Sequence, residues 1–192
     1  MPESAGFEQL RAEYTTLAAT AKVKTDDDVR SLRYFEVDRA LEEGRIPAES
    51  SPRVHDWVDK VRRLEAFIST EGRMPVENRR KDHSEVSDEE RTLSRWKADQ
   101  LRAGRRTRPS IYQIRRLEGL EGFSWAPLDD RWDRQLVLFA AFVDARTAPQ
   151  YRAGGTQRQV ARWAQRQRDL YRRGALTQTR IDRLEATGFW TW

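Results

Sequence analysis

Apolar residues recur along this chain at helical spacing, and nowhere do they alternate for long enough to form a strand. Residues 7–21 place Phe7, Leu10, Tyr14 and Leu17 on one helical face. A second helix, capped by Thr25 or Asp26, carries Val29, Leu32, Phe35 or Val37, and Leu41 before it stops at Gly44. From Ser51-Pro52 to about Thr70 the stripe is Trp57, Val61, Leu64 and Ile68, and adding 75 to each number reproduces it as Trp132, Leu136, Phe139 and Val143. Further on, subtracting 67 carries Val160, Trp163 and Gln167 onto Leu93, Trp96 and Gln100, Ile181 and Leu184 onto Ile114 and Leu117, and Trp192 onto Trp125. A pattern that returns in register means one supersecondary unit built twice. The fold class is therefore all-α, with two tandem three-helix modules preceded by a helical N-terminal segment.

Local signals set the boundaries. Ser87 with Glu90, and Thr156 with Gln159, have the spacing of a capping box at the second helix of each module. Ser110 and Thr177 are N-cap candidates for the third, with Leu176 and Ile181 as staple and N4 residue in the second copy. Gly188 followed by Phe189 fits a glycine stop whose apolar partner is Leu184, while Trp190 lies off the repeat register and is the one tryptophan expected to be exposed. Trp125 and Trp192 are expected to fold back over their modules. The chain divides into an acidic helical segment 1–53, module one over 54–125 and module two over 126–192. The change of offset from 75 to 67 gives module one eight extra loop residues, among them Arg79, Arg80 and Lys81. In the N-terminal segment LEEGRIPAESSPRV resembles LYRRGALTQTRIDRL, which makes that segment a candidate degenerate third copy.

Charge changes the picture. Residues 1–56 hold 8 Lys/Arg against 12 Asp/Glu, residues 57–125 hold 16 against 12, and residues 126–192 hold 12 against 7, so basicity follows the repeats. Of 36 basic residues 31 are arginine, whose planar forks suit phosphates and guanine edges, although a GC-rich genome produces the same bias. Seven tryptophans in a chain of mean hydropathy -0.90 point to thin cores built on large rings rather than to disorder. With no cysteine, disulfides and thiolate zinc sites are excluded. No basic-then-apolar leader and no long apolar run are present, so a soluble, cytoplasmic protein without membrane contact is expected.

The chemistry-bearing candidates are arginines. Opposite the buried edges, the second helices display Arg91, Arg95 and Arg102 in module one and Arg158, Arg162, Gln165 and Arg166 in module two. Arg105, Arg106, Arg172 and Arg173 stand at their C-terminal ends. Such a face can lie against a duplex, arginines on phosphates and Gln165 or an arginine on a base edge. It can equally be a solvated face with pairs such as Gln165 to Asp169, and cations in a last turn complement the helix dipole. The Arg79–Lys81 cluster is either a groove-entering arm or an ordinary loop. His55 and His83 stand alone, and the acidic runs Asp26–Asp28 and Asp88–Glu90 sit at helix starts where the dipole accounts for them. No metal, cofactor or catalytic constellation is expected, and hence no enzyme.

Trp163 to Thr177, then Arg180 to Glu185, then Gly188 to Trp192 together resemble the helicase-associated domain family, with its Gln-Arg, Tyr-x-x-Gly-x-Leu and Leu-Glu-x-x-Gly-Phe elements. The resemblance covers 126–192 well and 57–125 with an inserted loop. There Leu101, Gly104 and Arg106 depart from the Arg, Tyr and Gly of the pattern, so module one is expected to bind less well or to bind something else. The resemblance implies a tandem three-helix module that binds nucleic acid beside a helicase motor. No GxxxxGK[ST] phosphate loop is present, so any motor is expected on another chain. Two functions compete: a non-enzymatic DNA-binding regulator or accessory factor, with RNA as the less favoured ligand, and a protein-interaction adaptor for a helicase or polymerase that docks through its N-terminal segment.

Overall fold

A computed structural model describes residues 5–20, 24–47, 51–76, 86–106, 108–144, 152 and 154–192; of residues 5, 6, 105, 106 and 144 it describes the backbone alone. The inserted cluster Arg79, Arg80 and Lys81, and His83, lie outside these residues. Eight α-helices and no strand occur among the described residues: α1 (Ala5–Ala19), α2 (Asp26–Glu42), α3 (Pro52–Glu71), α4 (Asp88–Arg106), α5 (Ile111–Glu118), α6 (Pro127–Asp144), α7 (Gly155–Arg172) and α8 (Gln178–Glu185). They form two compact units, residues 1–125 and 126–192.

The repeat is visible in where helices begin. α3 and α6 both start at a proline, 52 and 127, a distance of 75, whereas α4 and α7 start at 88 and 155, and α5 and α8 at 111 and 178, a distance of 67. Proline suits a helix's first turn because its missing N–H would have had no partner there. Each module is closed by the same aromatic device. The indole of Trp57 donates to the Gln100 side-chain oxygen at 2.9 Å, and that of Trp132 to Gln167 at 2.9 Å. The rings pair edge-on with the tryptophan of the second helix, Trp57 with Trp96 at 6.1 Å and Trp132 with Trp163 at 5.8 Å. Around these rings the predicted stripes pack: Val61, Leu64, Ile68, Leu93 and Leu117 in unit one, and Phe139, Val160, Leu176 and Leu184 in unit two. Each fully buried aliphatic side chain of this kind contributes about 1.5–3 kcal/mol.

Unit one has two helices more than a module. α2 begins at Thr25, whose hydroxyl accepts from the Asp28 amide while the Asp28 carboxylate accepts from the Thr25 amide. It packs on α3 and α5, and α1 packs on α2 and α5. Phe7, Leu10, Tyr14, Leu32, Phe35 and Tyr112 form their shared core. Ion pairs fasten α1 at both sides, Arg11 to Glu42 at 2.7 Å and Arg115 to Glu13 at 2.6 Å. Beneath them lies a buried polar cluster. Asp38, 2% exposed, accepts from Tyr112 at 2.8 Å, from Arg116 at 2.9 Å and from Arg62 at 2.9 Å, and Arg116 also reaches Glu65. Burial and then the Asp38 charge push the Tyr112 phenol far above its ordinary value. The N-terminal segment also reproduces one turn of the modules. Gly44 and Gly174 both take a left-handed φ, 66° and 63°, and the residue after each donates five positions back, Arg45 to the Ala40 carbonyl and Ala175 to that of Leu170. Beyond the turn the likeness ends, since Gly44 leads to the long α3 and Gly174 to the eight-residue α8.

Three local expectations are corrected. Thr156 caps nothing, because α7 already begins at Gly155 with Gly154 as its N-cap and no side-chain cap bond. Phe189 is 60% exposed and is not the partner of Leu184. Trp190 fills that role: it is buried, packs on Phe139 at 5.1 Å, and lies in register with Phe123 of module one. In both copies this inner ring meets the closing tryptophan edge-on, Phe123 with Trp125 at 5.1 Å and Trp190 with Trp192 at 5.4 Å.

Candidate nucleic-acid interface

Positions 91, 95, 99 and 102 of α4 correspond to 158, 162, 166 and 169 of α7, and the two helices use them differently. In α7 the buried edge is Val160, Ala164 and Gln167. Geometry at about 100° per residue then turns Arg158, Arg162, Gln165 and Arg166 outward, and all four are exposed, as are Arg172 and Arg173 beyond them. Arg158, Arg162 and Arg166 fall four residues apart, a stripe about 12 Å long at 1.5 Å rise per residue. The one carboxylate of α7 is Asp169. It accepts from Gln165 at 3.1 Å and from Arg172 at 3.0 Å, and its backbone carbonyl accepts from Arg173 at 3.2 Å. Gln165, Arg172 and Arg173 thus have local tasks in finishing the helix, and along its body the outward cationic surface is the arginine stripe.

In α4 the same face is compensated. Asp88, Glu89 and Glu90 occupy the first turn where α7 has Gly155, Thr156 and Gln157, and Asp99 stands where α7 has Arg166. Arg91 is half-buried, paired with Asp88 and donating to the Val86 carbonyl at 2.8 Å, so it holds the start of its own helix. This corrects its expected place on an outward binding face. Arg95 is exposed, and Arg102 is paired with Asp99. The side chains of Arg105 and Arg106 lie outside the described residues. Glu90 is spent on the preceding loop: it accepts from Arg73 and from the Val76 amide at 3.1 Å, and Arg73, ahead of burial, holds its carboxyl below the ordinary value. Lys97 fixes the same loop by donating to the Pro75 carbonyl at 2.7 Å.

The motif residues that carry the family resemblance are mostly scaffold. Gln167 accepts from Trp132 in the core, and Arg168 lies over the Trp190 ring at 4.7 Å and donates to the Thr191 carbonyl at 2.7 Å, pinning the C-terminal segment. Burial, then the nearby Arg172, pulls the Arg168 guanidinium below its ordinary value. Tyr171 stacks on Trp192 at 3.9 Å, whose indole donates to Glu185 at 2.8 Å. Where module one has Gly104 in place of that tyrosine, Trp125 lies directly on the helix, and a Cβ on Gly104 would stand 2.8 Å from its ring. The glycine is therefore a packing exchange, tyrosine under one tryptophan and bare backbone under the other. Arg180 and Arg183 of α8 pair with Asp129 at 2.6 Å and Asp133 at 2.7 Å of α6 and cover the Trp132 ring.

Among the described residues no group of three His, Cys, Asp or Glu side chains is placed to hold a metal ion, and no helix is long and apolar enough to cross a membrane. Neither a curated protein nor a solved structure matches the chain. Residues 129–191, within the second unit, match the model of the family described as Helicase associated domain, and to that extent this part of the chain is similar to that family.

Proposed function

We propose that this protein is a non-enzymatic DNA-binding accessory factor whose principal contact is the outward face of α7. The supporting observation is the stripe of Arg158, Arg162 and Arg166, exposed side by side on a helix with a single carboxylate. Guanidinium groups so placed reach phosphate oxygens along a duplex and position the protein without reading sequence, while an arginine of the stripe, or Gln165 on exchanging its bond to Asp169, can address a base edge. Module one contributes less, through Arg95, because its equivalent face carries its own carboxylates. A helicase-associated domain with such a surface serves a motor by holding the nucleic acid on which the motor works.

Binding dominated by phosphates is salt-dependent, log affinity falling by about 0.9 per phosphate neutralised for each unit of log salt. Titration of random-sequence duplex DNA, and of the matching duplex RNA, into the full chain at several salt concentrations tests the reading. A steep negative slope with DNA, lowered by about 3 in the variant Arg158→Ala/Arg162→Ala/Arg166→Ala, is expected. No retention of duplex at low salt would leave the protein-adaptor reading in its place.

A further inference from the structure

Unit one contains a groove that the acidic balance of the N-terminal segment conceals. It is a cavity of about 880 Å³ between α2, the start of α3, the end of α4 and the turn into α5. Among the described residues its lining includes Arg30, Arg33, Arg39, Arg45, Arg53 and Arg108 against one carboxylate, Glu36. Arg30 and Arg45 are paired with Asp27 and Glu43, which stand beside the groove, and among the described residues a surplus of three positive charges remains after both pairs are discounted. Arg33, Arg53 and Arg108 are exposed and form no ion pair among the described residues. Arg39 is held at 5.4 Å over the Phe35 ring, and its Nε is buried with no hydrogen-bond partner among those residues. Like charges gathered in a concave site repel one another, and a fold that needed only solubility would disperse them.

Two of the neutral groups in the lining bear on what the groove can hold. Tyr34 is half-buried, braced edge-on against Trp57 at 5.2 Å, and presents aromatic surface to the groove. Gln100 lines the groove and gives its oxygen to Trp57, whereas the equivalent Gln167 is buried and donates back to the Trp163 carbonyl. The N-terminal amides of α5 contribute nothing to the site, since Ser110, Gln113, Asp27 and Ser31 already satisfy them.

We infer that this groove is a second anion site, independent of the α7 face, which takes closely spaced phosphates carrying a base: a stretch of single-stranded nucleic acid or a free nucleotide polyphosphate. Guanidinium forks from opposite walls bind the phosphate oxygens, and Tyr34 offers the base a stacking surface. The concave, half-open shape, bounded on one side by α2, favours a strand or nucleotide over the broad flank of a duplex.

The test uses the full chain and a fluorescein-labelled short oligothymidylate, read by anisotropy at low salt. The variant Arg33→Gln/Arg39→Gln/Arg53→Gln/Arg108→Gln should bind the probe at least about tenfold more weakly, as expected when several phosphate contacts are lost. The separate changes Arg33→Glu and Arg108→Glu, both at exposed positions, should each weaken it measurably and serve if the combined variant folds poorly. Arg158→Ala/Arg162→Ala/Arg166→Ala should change it less than about threefold while reducing duplex binding. Competition then separates the sources: displacement by ATP and inorganic pyrophosphate marks a nucleotide site, and displacement only by unlabelled oligothymidylate marks a strand site. Wild-type affinity in all three groove variants, or no probe binding by the wild-type chain, overturns the inference. Loss of duplex binding alone leaves it standing.

Discussion

Modules one and two share a scaffold and differ in what they do with charge. Both close on a Trp–Gln bridge and an edge-on pair of tryptophans, with helix starts held at constant spacing. Yet α4 spends Arg91 on Asp88 and Arg102 on Asp99, and it sends Glu89 and Glu90 to Arg63 and Arg73. α7 has one carboxylate, and its central arginines are exposed. The copy without an acidic first turn is the copy whose outer face we propose for DNA. Module one instead has α1 and α2 beside it, a buried ion network and a basic groove. The repeat thus preserves the aromatic closure and lets the outer faces diverge.

The largest test of this contrast is stability. Asp38→Ala removes the carboxylate that accepts from Arg116, a guanidinium 1% exposed, and breaking a buried pair from one side costs about 3–5 kcal/mol. Hydrogen exchange should accelerate across α2, α3 and α5 and stay unchanged in α6–α8; equal acceleration in both would contradict separate units. Next comes the shared bridge. Trp132→Phe leaves the Gln167 oxygen buried and unpaired, at about 1–3 kcal/mol, whereas Trp57→Phe strands only the half-buried Gln100, which water can reach. Urea unfolding that ranks Trp57→Phe as the costlier change would refute the distinction.

Gly104→Ala should lower stability by about 1 kcal/mol, because overpacking against Trp125 outweighs the gain in helix propensity. Trp fluorescence should shift to the red, and an unshifted, stabilised variant would show that the ring moves aside freely. The smallest effect concerns acid. Asp27, Glu89 and Glu90 have carboxyls held below their ordinary values, all in unit one, so their contribution is complete above those ordinary values and is lost as pH falls toward the folded ones. Exchange in unit one should therefore rise on acidification more than in unit two, and Glu90→Gln should flatten part of that dependence.

The helices are legible in the sequence because the buried stripes recur at fixed distances, and the caps Thr25 and Ser110 because each is a hydroxyl residue just ahead of such a stripe, whereas Thr156 misleads because its helix already begins at Gly155. Trp190 escapes such a reading because the Gly-Phe pairs at 122–123 and 188–189 look equivalent and are one residue out of step. The constant quantity is the six-residue distance from the buried leucine, Leu117 to Phe123 and Leu184 to Trp190. Nothing in the pattern separates buried Arg116 from its neighbour Arg115, though Asp38, three residues past Phe35 on the apolar stripe of α2, signals that a buried carboxylate needs a cation. The groove is illegible for a different reason. Net charge sums opposite faces of α2, and only packing against α3, α4 and α5 gathers Arg33, Arg39, Arg53 and Arg108 in one place.

The central claim, that the exposed arginines of α7 carry most of the duplex binding and those of α4 little of it, is met most directly by one paired salt titration. Random duplex binding is compared for Arg158→Ala/Arg162→Ala/Arg166→Ala and for Arg91→Ala/Arg95→Ala/Arg102→Ala. The account predicts that the salt slope falls by about 3 in the first variant and by no more than about 1 in the second. Equal losses, or the larger loss in the α4 variant, would contradict it.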